Sequence, residues 1–112
     1  MNDAEISVVE IEEKDYISLT DMVRNIDNGL VLIEKWLRNK NTIEFLGIWE
    51  GMYNLDFDED EYNKIMNEAG LNRFTLSVKQ WTNRTNSRGV IAKAGRYGGT
   101  YAHKDIAFHI SI

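Results

Sequence analysis

The 112-residue sequence contains no cysteine and no proline. Without cysteine, the chain forms no disulfide bond, no thiolate metal site and no cysteine nucleophile. No apolar run approaches the roughly 20 residues that a membrane-spanning helix needs. Residues 1–5 also lack the basic and apolar segments of a signal peptide. These absences predict a soluble intracellular domain.

Acidic residues are missing from one long segment, although the net charge of the chain is −5. Residues 1–15 contain six acids and one base, and residues 50–68 contain seven acids and one base. Residues 69–104 contain no acid and seven bases: Arg73, Lys79, Arg84, Arg88, Lys93, Arg96 and Lys104. This distribution is either a chance excess on a solvated surface or a positive face on an acidic protein. Because the bases lie on a predicted hairpin and its flanks, the distribution favours a polyanionic partner.

The remaining composition suits one folded domain. Hydrophobic residues make up 43% of the chain, and a domain of this size buries roughly 65% of its unfolded surface. Apolar residues predict two short strands, one over residues 6–11 and one at Tyr16-Ile17-Ser18. Because the sequence stops at Ile112 with no cap signal for its last helix, we expect the domain, residues 1–112, to have been cut from a longer chain.

Capping residues predict where the helices begin. Thr20 is expected to cap a short helix that Asn28-Gly29 ends, and Thr42 is expected to cap a later helix. Asp58 with Glu61, and Ser77 with Gln80, have the spacing of a capping box. Each box should therefore open a helix.

Two of these helices carry apolar residues at helical spacing. In the helix predicted over residues 30–38, the buried stripe comprises Leu30, Ile33, Trp36 and Leu37. In the next helix, the residues expected to face the core are Phe45, Leu46, Trp49 and Met52. The same spacing predicts that the three tryptophans of the chain pack in the core and do not stack on bases.

The turn between these two helices is basic and rich in amides. It comprises Arg38, Asn39, Lys40, Asn41 and Thr42, and every one of these side chains can donate a hydrogen bond. Arginine and lysine read guanine edges and asparagine reads adenine, while threonine or a helix N-terminus holds phosphate. The alternative is that the asparagines only end and cap helices.

A glycine-rich segment, Gly95-Arg96-Tyr97-Gly98-Gly99, separates two predicted strands, residues 90–93 and 100–102. Glycines supply the positive φ angles of a tight hairpin, so the segment could be a plain turn. Arg96 and Tyr97 favour a second function, because both can enter a minor groove or lie along a phosphate strand. A last helix is predicted from Asp105.

Several ordered segments of the chain closely resemble the KilA-N domain, a DNA-binding module of phage, bacterial and large-virus proteins. They are Tyr16–Asp21, Trp36–Glu50, Phe74–Ser77, Trp81, Thr85-Asn86 and Gly95–Phe108. The family is similar to the DNA-binding domain of fungal APSES transcription factors. The resemblance implies a small α+β, winged-helix-like fold in which the helix beginning near Asn41 reads DNA and Gly95–Thr100 forms the wing.

From the turn, the hairpin and this resemblance, we expect the chain to bind double-stranded DNA without catalysis. The expected contact residues are Arg38, Asn39, Lys40, Asn41, Thr42, Lys93, Arg96, Tyr97, Gly98 and Thr100. The role is expected to be antirepressor-like or transcriptional, in the cytoplasm or at the nucleoid. A protein partner or a homodimer would form through regions outside this domain. The alternative is a protein-interaction module with the same fold, which the net charge of −5 supports.

Other chemistries find little support in the sequence. Asp56, Asp58 and Asp60 start like a calcium-binding loop, but Glu61 and Asn67 occupy the positions that need glycine and glutamate. His103 and His109 lack the spacing of a metal site, and His103 is expected to cap or pack at the junction of hairpin and helix. We therefore expect no metal, no cofactor and no enzymatic activity.

Overall fold

The computed structural model describes residues 6–71, 73–95 and 98–110. Its elements, in chain order, are β1 (Val8–Ile11), β2 (Lys14–Ser18), α1 (Leu19–Met22), α2 (Gly29–Arg38), α3 (Lys40–Tyr53), α4 (Glu59–Glu68), α5 (Val78–Thr85), β3 (Val90–Lys93), β4 (Gly99–His103) and α6 (Lys104–Ala107). The strands form one antiparallel sheet in the order β1-β2-β4-β3. This confirms the predicted α+β class, with short N-terminal strands and a C-terminal hairpin that runs into a helix.

The sheet joins the two ends of the described chain. β1 and β2 pair across the Glu12-Glu13 turn, whose φ angles of 52° and 65° suit a tight two-residue hairpin. β4 then pairs with β2, which places Tyr16 opposite His103. The C-terminal hairpin β3–β4 is therefore fixed to the N-terminal hairpin along one strand.

Two of the predicted helix starts are confirmed. Ser77 and Gln80 form a complete capping box at the start of α5, because each side chain accepts a hydrogen bond from the other residue's backbone N–H, at 3.1 and 2.9 Å. Asp58 caps α4 by accepting the backbone N–H of Glu61 at 3.0 Å. Because the Glu61 side chain pairs with Lys64 and Arg84, this second box is only half formed.

Three of the predicted helix boundaries are wrong. Ser18, not Thr20, caps α1, because β2 runs directly into the helix and the Ser18 hydroxyl accepts the backbone N–H of Asp21. Asn39, not Thr42, caps α3, so the capping residue lies three positions earlier than predicted. Asn28-Gly29 opens α2 and does not end α1, because α1 already ends at Met22 and Asn28, in a left-handed conformation, is the residue before α2.

The core lies between the sheet and the helices, and Trp81, Leu37, Leu46 and Ile106 are completely buried in it. The predicted stripes are only partly correct, because Leu30 is 63% exposed and Met52 is 66% exposed. Helical spacing places a residue on a face, but only neighbouring elements can cover that face. None of the helices formed by the described residues is long and apolar enough to cross a membrane.

Candidate nucleic-acid interface

The two asparagines of the turn between α2 and α3 have different roles. The Asn39 side chain caps α3 by accepting the backbone N–H of Asn41 at 2.9 Å. The Asn41 side chain is exposed and forms no hydrogen bond with any other described residue. Lys40, between them, is exposed as well. The structure therefore leaves one asparagine of the turn available to a ligand and uses the other for capping.

The start of α3 differs electrostatically from that of α4. The first turn of α3, Lys40-Asn41-Thr42-Ile43, contains no acid and begins with a lysine. The first turn of α4 contains Glu59, Asp60 and Glu61, the charges that the positive end of a helix dipole favours. A lysine at a helix start adds to the positive potential of that end of the helix instead of neutralising it. The N-terminus of α3 is therefore suited to an anion and that of α4 is not.

The residues of the turn line two different grooves. Asn41 and Thr42 line a groove of about 240 Å³ that is closed by Trp36, Phe45 and His109. Arg38 lines another groove, of about 190 Å³, together with Ser77 and Gln80 at the start of α5 and with Glu34, Thr75 and Leu76. The sequence placed Arg38 beside Asn41 in one surface, and the structure turns its side chain towards α5.

The hairpin β3–β4, called the wing below, carries one lysine among its described residues. Lys93, at the end of β3, is exposed, and its Nζ lies 5.5 Å from the centre of the Tyr101 ring. Gly95 and Gly99 take φ angles of +100° and +146°, which confirms the expected use of glycine in the turn. Gly98 is half-buried, and the expected contact residues Arg96 and Tyr97 lie outside the described part of the chain.

Near its tip, this hairpin is fixed to α1. The backbone N–H of Thr100 donates to the Thr20 hydroxyl at 2.9 Å. A Cβ at Gly99 would lie 2.7 Å from the same hydroxyl oxygen, so only glycine fits this approach. Thr100 also borders a groove with Leu37 and Ser77. Thr100 pairs with Ala92, next to the Lys93–Gly99 pair that borders the turn, so its hydrogen bond to α1 holds the wing near its tip.

Of the six described bases in residues 69–104, two form ion pairs inside the domain. Arg84 contacts Glu68 at 2.9 Å and Glu61 at 3.1 Å, and these carboxylates raise the pKa of its guanidinium, that of Glu68 most. Arg88 contacts Asp56 at 3.0 Å. Among the described residues, Lys79 and Lys93 take part in no ion pair. The positive face is therefore smaller than the sequence suggested.

A buried carboxylate connects α3 to the wing, and it was not among the residues predicted from the sequence. Glu50 accepts the backbone N–H groups of Arg88 and Gly89, the two residues that precede β3. Burial raises the pKa of the Glu50 carboxyl, although these hydrogen bonds and one from Asn54 oppose the rise. Spacing could have indicated this position, because Glu50 lies four residues after the buried Leu46 and seven after the buried Ile43.

His103 occupies the junction between the wing and α6, as the sequence predicted. Its Nδ1 accepts the backbone N–H of Asp105 at 3.1 Å and so caps α6, and its ring lies 5.0 Å from that of Trp49. Burial lowers the pKa of the imidazole, although Asp105 opposes this change. His103 is therefore a capping and packing residue in this fold.

The α2–α3 turn and the wing thus lie on one small α+β domain, and both carry exposed lysines. The KilA-N domain family model matches residues 1–112, the whole chain. The protein belongs to the KilA-N family, which is generally a family of DNA-binding domains and not of enzymes. No curated protein and no solved structure matches the chain.

Proposed function

We propose that this protein binds double-stranded DNA through the N-terminus of α3 and the wing β3–β4, without catalysis. The observation that carries the proposal is the α2–α3 turn, where Asn39 supplies the cap and leaves Lys40 and Asn41 exposed. A DNA backbone needs cations and an accessible helix N-terminus, and this turn has both. Membership of the KilA-N family supports the same function.

Each residue of the turn has a role that follows from its chemistry. Lys40 is suited to a phosphate, because a lysine ammonium is a point charge on a flexible stem. Asn41 is suited to the edge of adenine, which an amide can contact with two hydrogen bonds. Thr42 would bind phosphate beside it, and Arg38 would bind phosphate or guanine from the separate groove next to α5.

The wing would contact the sugar-phosphate backbone beside the base-reading helix. Lys93 is its described cation, and the sequence adds Arg96 and Tyr97, with Gly98 and Thr100 completing the proposed contacts. Contacts of this kind hold a protein on DNA without reading its sequence. In the cell, the domain would serve an antirepressor or a transcriptional regulator.

A protein-interaction function is the second candidate, because α3 also has an exposed apolar face. Ile48, Met52 and Tyr53 are 58%, 66% and 51% exposed. They line a groove of about 210 Å³ with Phe45, Trp49, Asp105 and His109. Apolar surface of this kind is typical of protein contacts, and it contributes nothing to binding the phosphates of a duplex.

The two candidates differ in how binding depends on salt. Affinity for random-sequence duplex DNA should fall as salt rises, with a slope of about −0.9 for each neutralised phosphate and about three to five phosphates in contact. Lys40→Ala should reduce the steepness of that slope by about one contact. Lys64→Ala is the matched control, because Lys64 is exposed on the acidic helix α4 and pairs with Glu61. A flat salt dependence, or no binding at low salt, would favour the protein-interaction function.

A further inference from the structure

Glu50 is an acidic residue that is completely buried. Its Oε1 accepts the backbone N–H of Arg88 at 2.9 Å and the side-chain amide of Asn54 at 2.8 Å. Its Oε2 accepts the backbone N–H of Gly89 at 2.6 Å and shares that of Arg88 at 3.1 Å. The carboxylate therefore has hydrogen-bond donors on both oxygens.

These bonds tie α3 to the first residues of the wing. Gly89 immediately precedes β3, and its carbonyl accepts the backbone N–H of His103 on β4 at 2.7 Å. A Cβ at Gly89 would lie 2.4 Å from Ile106 and 2.9 Å from Glu50 Oε2, so the close approach requires glycine. The carbonyl of Arg88 accepts the Tyr16 hydroxyl at 2.7 Å. The root of the wing is thus held by α3 on one side and by the sheet on the other.

Asn54 extends this connection to the end of α5. Its side-chain amide donates to Glu50 Oε1 and also to the carbonyl of Asn86, at 2.9 Å. Asn86 is the left-handed residue that ends α5, with a φ of 61°. The pair Glu50–Asn54 therefore fixes the whole segment between α5 and β3 against the C-terminal half of α3.

A buried carboxylate is a costly way to stabilise a core, because it loses its hydration and apolar packing is often as stable. A carboxylate can instead fix the orientation of the backbone, because its two oxygens hold the N–H groups of two successive residues in one geometry. β3 has four residues, so the wing extends about 13 Å from its root. By that geometry, a rotation of β3 by about 10° at its root would move Lys93, at its far end, by about 2 Å, which is enough to break a hydrogen bond.

We propose that Glu50 is a positioning residue for DNA binding, which sets the angle of the wing relative to α3 so that both elements reach the same duplex. The inference rests on the proposed function, because it assumes that α3 and the wing both contact DNA. Glu50 itself, being buried, touches no ligand. It would act through the backbone of Arg88 and Gly89.

The variant Glu50→Gln separates this role from simple charge. It removes one negative charge, so electrostatics alone predicts tighter binding to DNA. Positioning predicts weaker binding, because the amide nitrogen of glutamine faces an N–H group that the carboxylate had accepted. Glu44→Gln is the matched control, because Glu44 is an exposed acid on the same helix. We expect it to bind at least as tightly as the unaltered chain.

A double-mutant cycle then asks which contact is lost. In the unaltered chain, Lys93→Ala on the wing and Lys40→Ala on α3 should each reduce the steepness of the salt slope by about 0.9. In the Glu50→Gln background, Lys93→Ala should have less than about half of that effect, while Lys40→Ala keeps it in full. All variants are measured at temperatures where circular dichroism shows the folded spectrum.

Equal effects of Lys93→Ala in both backgrounds would overturn the proposal, as would tighter binding by Glu50→Gln. If Glu50→Gln does not fold, the same cycle with Asn54→Ala decides, because that variant keeps the carboxylate and removes the amide that donates to it and to the Asn86 carbonyl. If the unaltered chain fails to bind duplex DNA at low salt, the proposed function itself is wrong. That outcome differs from the ones above, in which the unaltered chain binds DNA and only the role of Glu50 is refuted.

Discussion

Replacing Asn39 and Asn41 separately should distinguish helix capping from DNA reading. Asn39→Ala removes the side chain that accepts the backbone N–H of Asn41, and losing such a cap costs about 1 kcal/mol of stability. For a chain of this size, that lowers the melting temperature by about 4 °C. Asn41→Ala keeps the N–H donor and the cap. Its unfolding free energy should therefore change by no more than about 0.5 kcal/mol, as for other surface substitutions, and its melting temperature should change little.

Binding should show the opposite pattern. Asn41→Ala should cost about 1–3 kcal/mol against a preferred duplex, which is about 5- to 150-fold in affinity, and little against random DNA. The preferred duplex comes from selection out of a random pool, and fluorescence polarisation at fixed salt measures both affinities. Asn63→Ala is the control, since Asn63 is an exposed asparagine on α4. If Asn41→Ala lowers the melting temperature as far as Asn39→Ala, or weakens binding to both DNAs equally, Asn41 does not read bases.

Two further predictions concern the supports of the wing. Thr20→Val should destabilise the fold by about 1–3 kcal/mol in urea melts, because it leaves the partly buried N–H of Thr100 without an acceptor. The control is Thr75→Val, at an exposed position, which should change stability little. Because burial raises the pKa of Glu50 above its usual 4.5, the stability that depends on its protonated form is full below pH 4.5 and is lost as the pH rises through the folded-state pKa. The unfolding free energy of the unaltered chain relative to Glu50→Gln should therefore fall with rising pH over that window, and a difference that is constant with pH would contradict this.

The accuracy of the sequence predictions depends on how local each signal is. The capping box of Ser77 and Gln80 involves residues three apart, and the structure contains it in full. The role of His103 at the start of α6 was equally local, and it is confirmed. Both could be predicted because the interacting groups are neighbours in the chain, so that no tertiary contact decides between them.

Predictions failed where several residues could serve the same purpose. Ser18 and Thr20 can both cap a helix, and the choice depends on where β2 ends. Asn39 and Thr42 can both cap α3, and the turn geometry after α2 selects Asn39. The sequence identifies a set of candidates in such cases, and only the path of the backbone selects among them.

Glu50 shows a limit of a different kind. It receives backbone hydrogen bonds from Arg88 and Gly89, which lie 38 and 39 residues further along the chain. The apolar spacing of α3 could place residue 50 on the inner face, but it could not identify backbone donors from a loop before β3. A buried charge is interpretable only when its partners are known.

The ion pairs of the structure bear on how a protein with a net charge of −5 could bind DNA. Arg84 and Arg88 neutralise acids of the domain itself, and so they add little to the field that a duplex would meet. The cations at the proposed interface are then few, with Lys40 on α3 and Lys93 on the described wing. A small number of phosphate contacts gives modest non-specific affinity. Tight binding would therefore depend on base contacts such as that of Asn41, and on a wing held at the correct angle to make its few contacts together.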